Sequence, residues 1–198
     1  MRETTDAQVT PSLLKALQAV LRLLRRMEDR GVIIGGVAAS LLGHPRLTAD
    51  IDAVILLSVD QLPRLLEGAA EERLTPRIPD AVEFARQYRV LLLQHPESGI
   101  PVDISLGILP FEVEMVERRV LLNVAGLTIP VPRPEDLIIL KAIAHRPVDL
   151  ADIRAIVENY PTLDREYIRQ WVETFAEVLE APHLWEDVRP LLTVENQL

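Results

Sequence analysis

The chain contains no cysteine, which excludes disulfides, thiolate metal sites and a cysteine nucleophile. It has two lysines, Lys15 and Lys141, against nineteen arginines. Such a bias follows genomic base composition, so abundant arginine carries no functional message by itself. No apolar run approaches the ~20 residues that a membrane-spanning helix needs. The start, Met1-Arg2-Glu3-Thr4-Thr5-Asp6, is polar, with no apolar stretch behind a basic segment; a cytoplasmic location without a membrane partner is the expectation. There is no Walker-type phosphate loop, no Gly-x-Ser-x-Gly elbow, no internal repeat and no low-complexity segment. His44, His95, His145 and His183 are too dispersed to form a metal-spaced pair. The net charge of −9 argues against a broad nucleic-acid-binding face, which needs a basic footprint, but leaves room for a local basic groove.

What is present is a chain of 198 residues, 48% apolar, long enough to bury a core as one domain or two small lobes. Leu13, Leu17, Val20, Leu24 and Met27 recur at three- and four-residue spacing and predict an amphipathic helix over residues 11–30. Lys15, Arg22, Arg25, Arg26 and Arg30 read as its solvated face, with a basic stripe for RNA as the alternative. A short strand at Val32–Ile34, a helix at Val37–Leu42 and a strand at Ile51–Leu57 follow. Helices are expected at Asp60–Glu72, capped by Asp60, and at Asp80–Gln87 and Phe111–Glu117. Two hairpins are expected, Arg89–Gln94 with Val102–Leu106 and Val120–Val124 with Leu127–Val131. From Pro134 the pattern turns helical: Glu135–His145, Asp149–Asn159, Arg165–Glu180 and Leu184–Leu192, with Trp171, Trp185 and Phe175 in the core. The fold class is α/β: a mixed β-sheet flanked by helices over residues 1–131, then a C-terminal helical lobe over residues 132–198.

Three acids carry the chemistry. Asp50 and Asp52 lie in Leu47-Thr48-Ala49-Asp50-Ile51-Asp52, and Asp103 lies in Ile100-Pro101-Val102-Asp103-Ile104-Ser105. Side chains alternate along a strand, so Asp50 and Asp52 face the same way, about 6.6 Å apart at the backbone. On a paired strand Asp103 would lie about 4.8 Å to the side. Three like charges at that range disfavour one another unless cations intervene. Magnesium takes carboxylate oxygens together with substrate phosphates and water. The plainer alternative is that an Asp-x-Asp pair at a strand start only caps a turn.

Gly35-Gly36 joins the first strand to the next helix, where backbone can close on a phosphate and helix N–H groups favour an anion; Ser40 adds a hydroxyl one turn in. A plain strand-to-helix turn is the alternative. Thirteen residues separate Gly36 from Asp50, room for one short helix and a return strand that sets phosphate and metals side by side.

Gly35-Gly36, Asp50-Ile51-Asp52 and Val102-Asp103-Ile104 together resemble the signature of the DNA polymerase beta-type nucleotidyltransferase superfamily: an apolar residue before Gly-Gly or Gly-Ser, a short spacer, Asp-x-Asp/Glu, and a later acid between apolar residues. The resemblance covers residues 31–106. It implies a nucleotidyltransferase-type mixed sheet, two Mg²⁺ ions and transfer of a nucleoside monophosphate from an NTP with release of pyrophosphate. It further implies that Gly35 and Gly36 hold the triphosphate, that Asp50 and Asp52 bind both metals, and that Asp103 binds the catalytic metal and helps deprotonate the acceptor hydroxyl.

Residues 133–154 narrow the likeness. Pro134-Glu135-Asp136-Leu137, then Lys141 on a helix, then Arg146-Pro147-Val148-Asp149-Leu150-Ala151-Asp152 resembles the AbiEii/MenT-like nucleotidyltransferases, which include type IV toxins of toxin–antitoxin pairs; the lead-in Arg46-Leu47-Thr48-Ala49-Asp50 is similar as well. This likeness implies Lys141 on the nucleotide phosphates, Asp152 near the active site, Asp149 orienting its neighbours, and Arg46 and Thr48 lining the nucleotide entrance. From the residues alone, Asp149 could instead cap a helix, with Asp152 on its first turn. The expected activity is Mg²⁺-dependent nucleotidyl transfer from NTP to an acceptor: tRNA, as in toxin–antitoxin systems with an antitoxin protein as partner, a protein hydroxyl, or a small molecule such as an antibiotic. The alternative is a nucleotide- or partner-binding regulatory module without turnover.

Overall fold

The structure, a computed structural model, describes residues 10–193. The chain forms two compact units. One holds the described residues up to Val37 together with Arg46–Pro132; the other holds Ala38–Pro45 and the described residues from Arg133 onward. The excursion at Ala38–Pro45 is the departure from a linear division of the sequence near residue 132.

The first unit opens with α1, Pro11–Arg26, shorter than the apolar periodicity suggests because Glu28 and Asp29 adopt left-handed backbone and end it. Thr10 caps it by accepting the Leu13 N–H, Pro11 has no N–H to leave unsatisfied, and Arg25 and Arg26 meet the negative end of the helix dipole. The face of Leu13, Leu17, Val20 and Leu24 is buried as the spacing requires. Arg22 and Arg26 on the opposite side grip the buried Glu72 carboxylate, and Arg26 also reaches Glu71. These arginines are thereby neutralised, which favours a solvated, ion-paired face over a stripe for RNA.

Five strands follow: β1 Gly31–Ile34, β2 Ile51–Leu56, β3 Thr75–Pro76, β4 Val90–His95 and β5 Ile100–Gly107. They lie in the order β1-β2-β5-β4-β3, with only β2 and β5 parallel. Alternation sorts β4 and β5 cleanly: Leu91, Leu93, Val102, Ile104 and Leu106 are buried on one face, while Leu92, Asp103 and Ser105 are half-buried on the other. Strand β3 gave no sequence signal, being two residues long and containing a proline. Helix α2 runs Gly35–Leu42, so the glycines open the helix instead of preceding it. The expected helix from Asp60 divides into a 3-10 turn, Val59–Gln61, and α3, Leu62–Glu71; Ser58 with Gln61, not Asp60, closes its start. Helices α4, Ala81–Tyr88, and α5, Pro110–Glu117, and a second sheet of β6, Val120–Val124, and β7, Leu127–Val131, complete this unit.

The second unit contains α6 Pro134–Ala144, α7 Pro147–Asn159, α8 Arg165–Val178 and α9 His183–Val188, which passes into a 3-10 turn at Arg189–Leu192. Asn159 donates its amide to the carbonyls of Leu42 and Gly43, fastening the end of α2 into this unit. Trp171, Phe175 and Trp185 are half-buried, not core; Tyr167, Trp171 and Phe175 form an aromatic row along α8. No helix among the described residues is long and apolar enough to cross a membrane.

Candidate active site

One row of residues crosses the whole sheet. Ile34 of β1 is in register with Asp52 of β2, Asp52 with Asp103 of β5, and Asp103 with Leu92 of β4. The N–H of Arg77, just past β3, donates to the Leu92 carbonyl at 2.9 Å and extends the row by one residue. Cross-strand partners point to the same face, so the Asp52 and Asp103 side chains project side by side from the half-buried face. Asp50 precedes Asp52 by two residues, in the bend that leads into β2, and its charge reaches Asp103.

Because β1 is antiparallel to β2, the end of β1 meets the start of β2, and the chain turns into α2 immediately after Ile34. Gly35 takes φ +62°, and a Cβ placed on it would stand 1.9 Å from Asp52 Oδ2. Only glycine combines that backbone with so close a carboxylate. A Cβ on Gly36 would stand 2.4 Å from Thr48 Oγ1 and 3.4 Å from an Arg46 guanidinium nitrogen. Thr48 in turn donates to Asp50 Oδ1 at 3.0 Å. The glycine turn, Arg46, Thr48, Asp50, Asp52 and Asp103 are thus neighbours within the first unit. Ser40 lies further along α2, half-buried.

Asp103 also accepts a hydrogen bond at 2.8 Å from an Arg77 Nη, an ion pair in which both side chains are about a third exposed (32% and 31%). Burial lifts the Asp103 carboxyl above the usual aspartate range; Arg77 pulls it down and the Asp50 charge pushes it further up. Arg77 is the residue that sequence reading missed. Its place depends on pairing between β3 and β4, which no local pattern announces.

The donor set is chemically apt for a hard cation. Asp50, Asp52 and Asp103 offer only oxygen, two of them in register, and the Asp50 charge raises the Asp103 carboxyl. As the side chains stand, no three histidine or carboxylate groups among the described residues gather around one point. The arrangement is a carboxylate rim beside a glycine turn, with an arginine on one of the acids.

Lys141, Asp149 and Asp152 are brought together with one another in the helical unit. The Lys141 ammonium bonds Asp149 Oδ1 and Asp152 Oδ2, each at 2.8 Å, and Lys141 is only 3% exposed. Asp149 also receives the Arg146 backbone N–H at 3.1 Å and its guanidinium at 2.7 Å. The capping reading of Asp149 is therefore correct in kind. The helix begins at Pro147, however, which puts Asp149 at its third position and Asp152 beyond the first turn. Arg146 and Lys141 hold the Asp149 carboxyl below the usual range even though burial alone would raise it.

Residues 12–181 match the family described as "Nucleotidyltransferase of unknown function (DUF6036)". No match is found among curated proteins. Among solved structures, the chain is similar to the antibiotic-resistance factor ANT(2'')-Ia, with 15% identity over 84% of this chain and 94% of that one and a TM-score of 0.53. It also matches an antigenic nucleotidyltransferase-like protein from Paracoccidioides brasiliensis, with 17% identity over 87% and 92% of the two chains and a TM-score of 0.46. A third match is a putative nucleotidyltransferase from H. pylori, with 14% identity, 96% and 86% coverage and a TM-score of 0.45. At these identities the likeness speaks for the fold alone, and only the first of the three is close enough to carry that argument.

Proposed function

Since the chain belongs to the DUF6036 family of nucleotidyltransferases, we propose that it moves a nucleoside monophosphate from an NTP to an acceptor hydroxyl in a Mg²⁺-dependent reaction at the Asp50–Asp52–Asp103 rim. One observation carries this reading: Asp52 and Asp103 stand in register on parallel strands, with the Gly35 turn pressed against the Asp52 carboxylate.

Each residue has a task that follows from its position. Asp50, Asp52 and Asp103 are the cation ligands. Two Mg²⁺ ions bound there would stabilise charge on the attacking and leaving oxygens of an in-line displacement. Gly35 and Gly36 let the backbone close on Asp52 and Thr48, which brings the free N–H groups of the first turn of α2 to the edge of the acids. That edge is the seat for the triphosphate. Thr48 fixes the Asp50 carboxylate by its hydrogen bond. Arg46, beside Gly36, lines the nucleotide entrance. Asp103 takes the proton from the acceptor hydroxyl. Lys141, Asp149 and Asp152 hold one another through buried ion pairs; a phosphate contact by Lys141, as the AbiEii/MenT-like resemblance implies, would have to exchange with one of these carboxylates.

The first acceptor to test is tRNA, because residues 133–154 resemble the AbiEii/MenT-like group; an antitoxin-like protein is then the partner to seek. An antibiotic is the second, after the fold neighbour, and a protein hydroxyl the third. The assay incubates the protein with each α-labelled NTP and Mg²⁺, against bulk tRNA, aminoglycosides and the protein itself. Label transfer with release of pyrophosphate is expected, and Asp50→Ala should reduce it by about 10²–10³-fold, the scale of losing one charge-stabilising group. NTP binding without transfer to any acceptor would favour a regulatory module over an enzyme.

A further inference from the structure

The row across the sheet ends on an arginine that the proposed reaction does not use. Arg77 is anchored by its own backbone: its N–H pairs with Leu92, the residue in register with Asp103. Two strand spacings, about 9.6 Å, therefore separate the Arg77 and Asp103 backbones. The arginine side chain spans that gap along the half-buried face and places a guanidinium nitrogen 2.8 Å from Asp103 Oδ1. Asp103 is its partner, and the contact falls on the carboxylate assigned to the catalytic cation.

Resting on the cation-site reading above, we infer that Arg77 is a positioning residue that holds Asp103, and that a divalent cation competes with it for that carboxylate. One carboxylate oxygen cannot give its full charge to a guanidinium and to a metal at once. The two cations therefore compete for Asp103. The pair is partly exposed, so its hold is modest and reversible. Its anchor lies at the sheet edge next to β3, a strand of two residues, so the arginine can swing away without disturbing the central strands. Without Arg77, the cation would meet an Asp103 already free.

The test is cation binding without nucleotide, read by calorimetry with Mn²⁺ on the full chain. It compares wild type, Arg77→Gln, Arg77→Lys and Asp52→Asn, each checked by thermal melt. Arg77→Gln should bind Mn²⁺ about two- to fivefold more tightly than wild type, the range a part-exposed charge can hold back. Arg77→Lys, which keeps the charge but loses the planar fork, should return most of the way to wild-type affinity. The gain should shrink as ionic strength rises. A purely structural role for Arg77 would lower the melting temperature and leave Mn²⁺ affinity unchanged or weaker. If wild type binds Mn²⁺ and loses it in Asp52→Asn, but Arg77→Gln binds no more tightly, competition is overturned and the cation site stands. If neither wild type nor Arg77→Gln binds Mn²⁺, the cation-site reading itself falls and takes this inference with it.

Discussion

Burial raises the carboxyl of Asp103, half-buried on the sheet, and that of Asp149, fully buried in the helical unit, but neighbouring charge compensates the two differently. Burial raises the Asp103 carboxyl, and Arg77 at a half-open position does not cancel the rise, to which Asp50 adds. Burial pushes Asp149 in the same direction, yet Arg146 and Lys141 overcome it and leave the carboxyl below its usual range. On the reading proposed above, the difference separates a site from a brace. A carboxyl that its neighbours leave raised, as at Asp103, is one whose ionised form a cation would stabilise. Asp149, held by an ammonium and a guanidinium, has less demand for a further cation, and its ion pair with Lys141 joins α6 to α7.

The largest expected effect lies in the brace. Lys141→Met would leave Asp149 and Asp152 buried without their shared counter-ion, at a cost of about 3–5 kcal/mol. Both tryptophans, Trp171 and Trp185, lie in the helical unit, so their fluorescence reports its unfolding separately. Adding Asp149→Asn and Asp152→Asn to Lys141→Met should recover most of the loss. Asp103→Asn at the rim should shift the melting transition little while removing transfer activity. Equal destabilisation by Lys141→Met and Asp103→Asn would erase the distinction between the two groups.

Next in size is the glycine turn. Gly35→Ala must both adopt left-handed backbone, about 1–2 kcal/mol, and push Asp52 aside. Transfer should fall more than tenfold (roughly 1.4 kcal/mol in the barrier). Gly36→Ala meets the Thr48 hydroxyl, which can turn away, and should fall less. A reversed order would show that the turn does not serve Asp52.

The smallest effect is a pair of opposite pH slopes. The folded-state value of Asp149 is lowered, so its stabilisation is present above the unfolded aspartate value, about 3.9, and is lost as pH falls through the lower folded value. The folded-state value of Asp103 is raised, so its contribution is greatest below about 3.9 and is lost as pH rises through the higher folded value. Acid titration should therefore destabilise the wild-type helical unit more than the same unit carrying Asp149→Asn. Asp103→Asn should remove a component of opposite sign. The same slope in both comparisons would contradict the assigned compensation.

Much of this was legible beforehand at the scale of a few residues. The hairpins at 90–107 and 120–131 stand within a residue or two of their expected bounds, because alternation and turn residues act locally. Asp50 and Asp52 could be seen to lie close together because one residue separates them. Lys141 could be seen to be packed, but not by what: the Asp149 that reads as a helix cap is also its ion-pair partner, and the chain had to fold before both uses coincided. The core assignment of Trp171 and Trp185 failed because a large apolar side chain is common on a half-covered face.

The order of amino acids by itself determined most of the elements, the glycine turn and the closeness of Asp50 and Asp52 at the start of β2, since these depend on backbone preferences and periodicity within a handful of neighbours. Only the tertiary structure decided that β5 lies parallel to β2 with Asp103 opposite Asp52, that Arg77 arrives over Leu92, and that Lys141 is enclosed by two carboxylates. The physical reason is that register and ion pairing are chosen by burial and charge across distant parts of the chain, and no window of local sequence contains both partners.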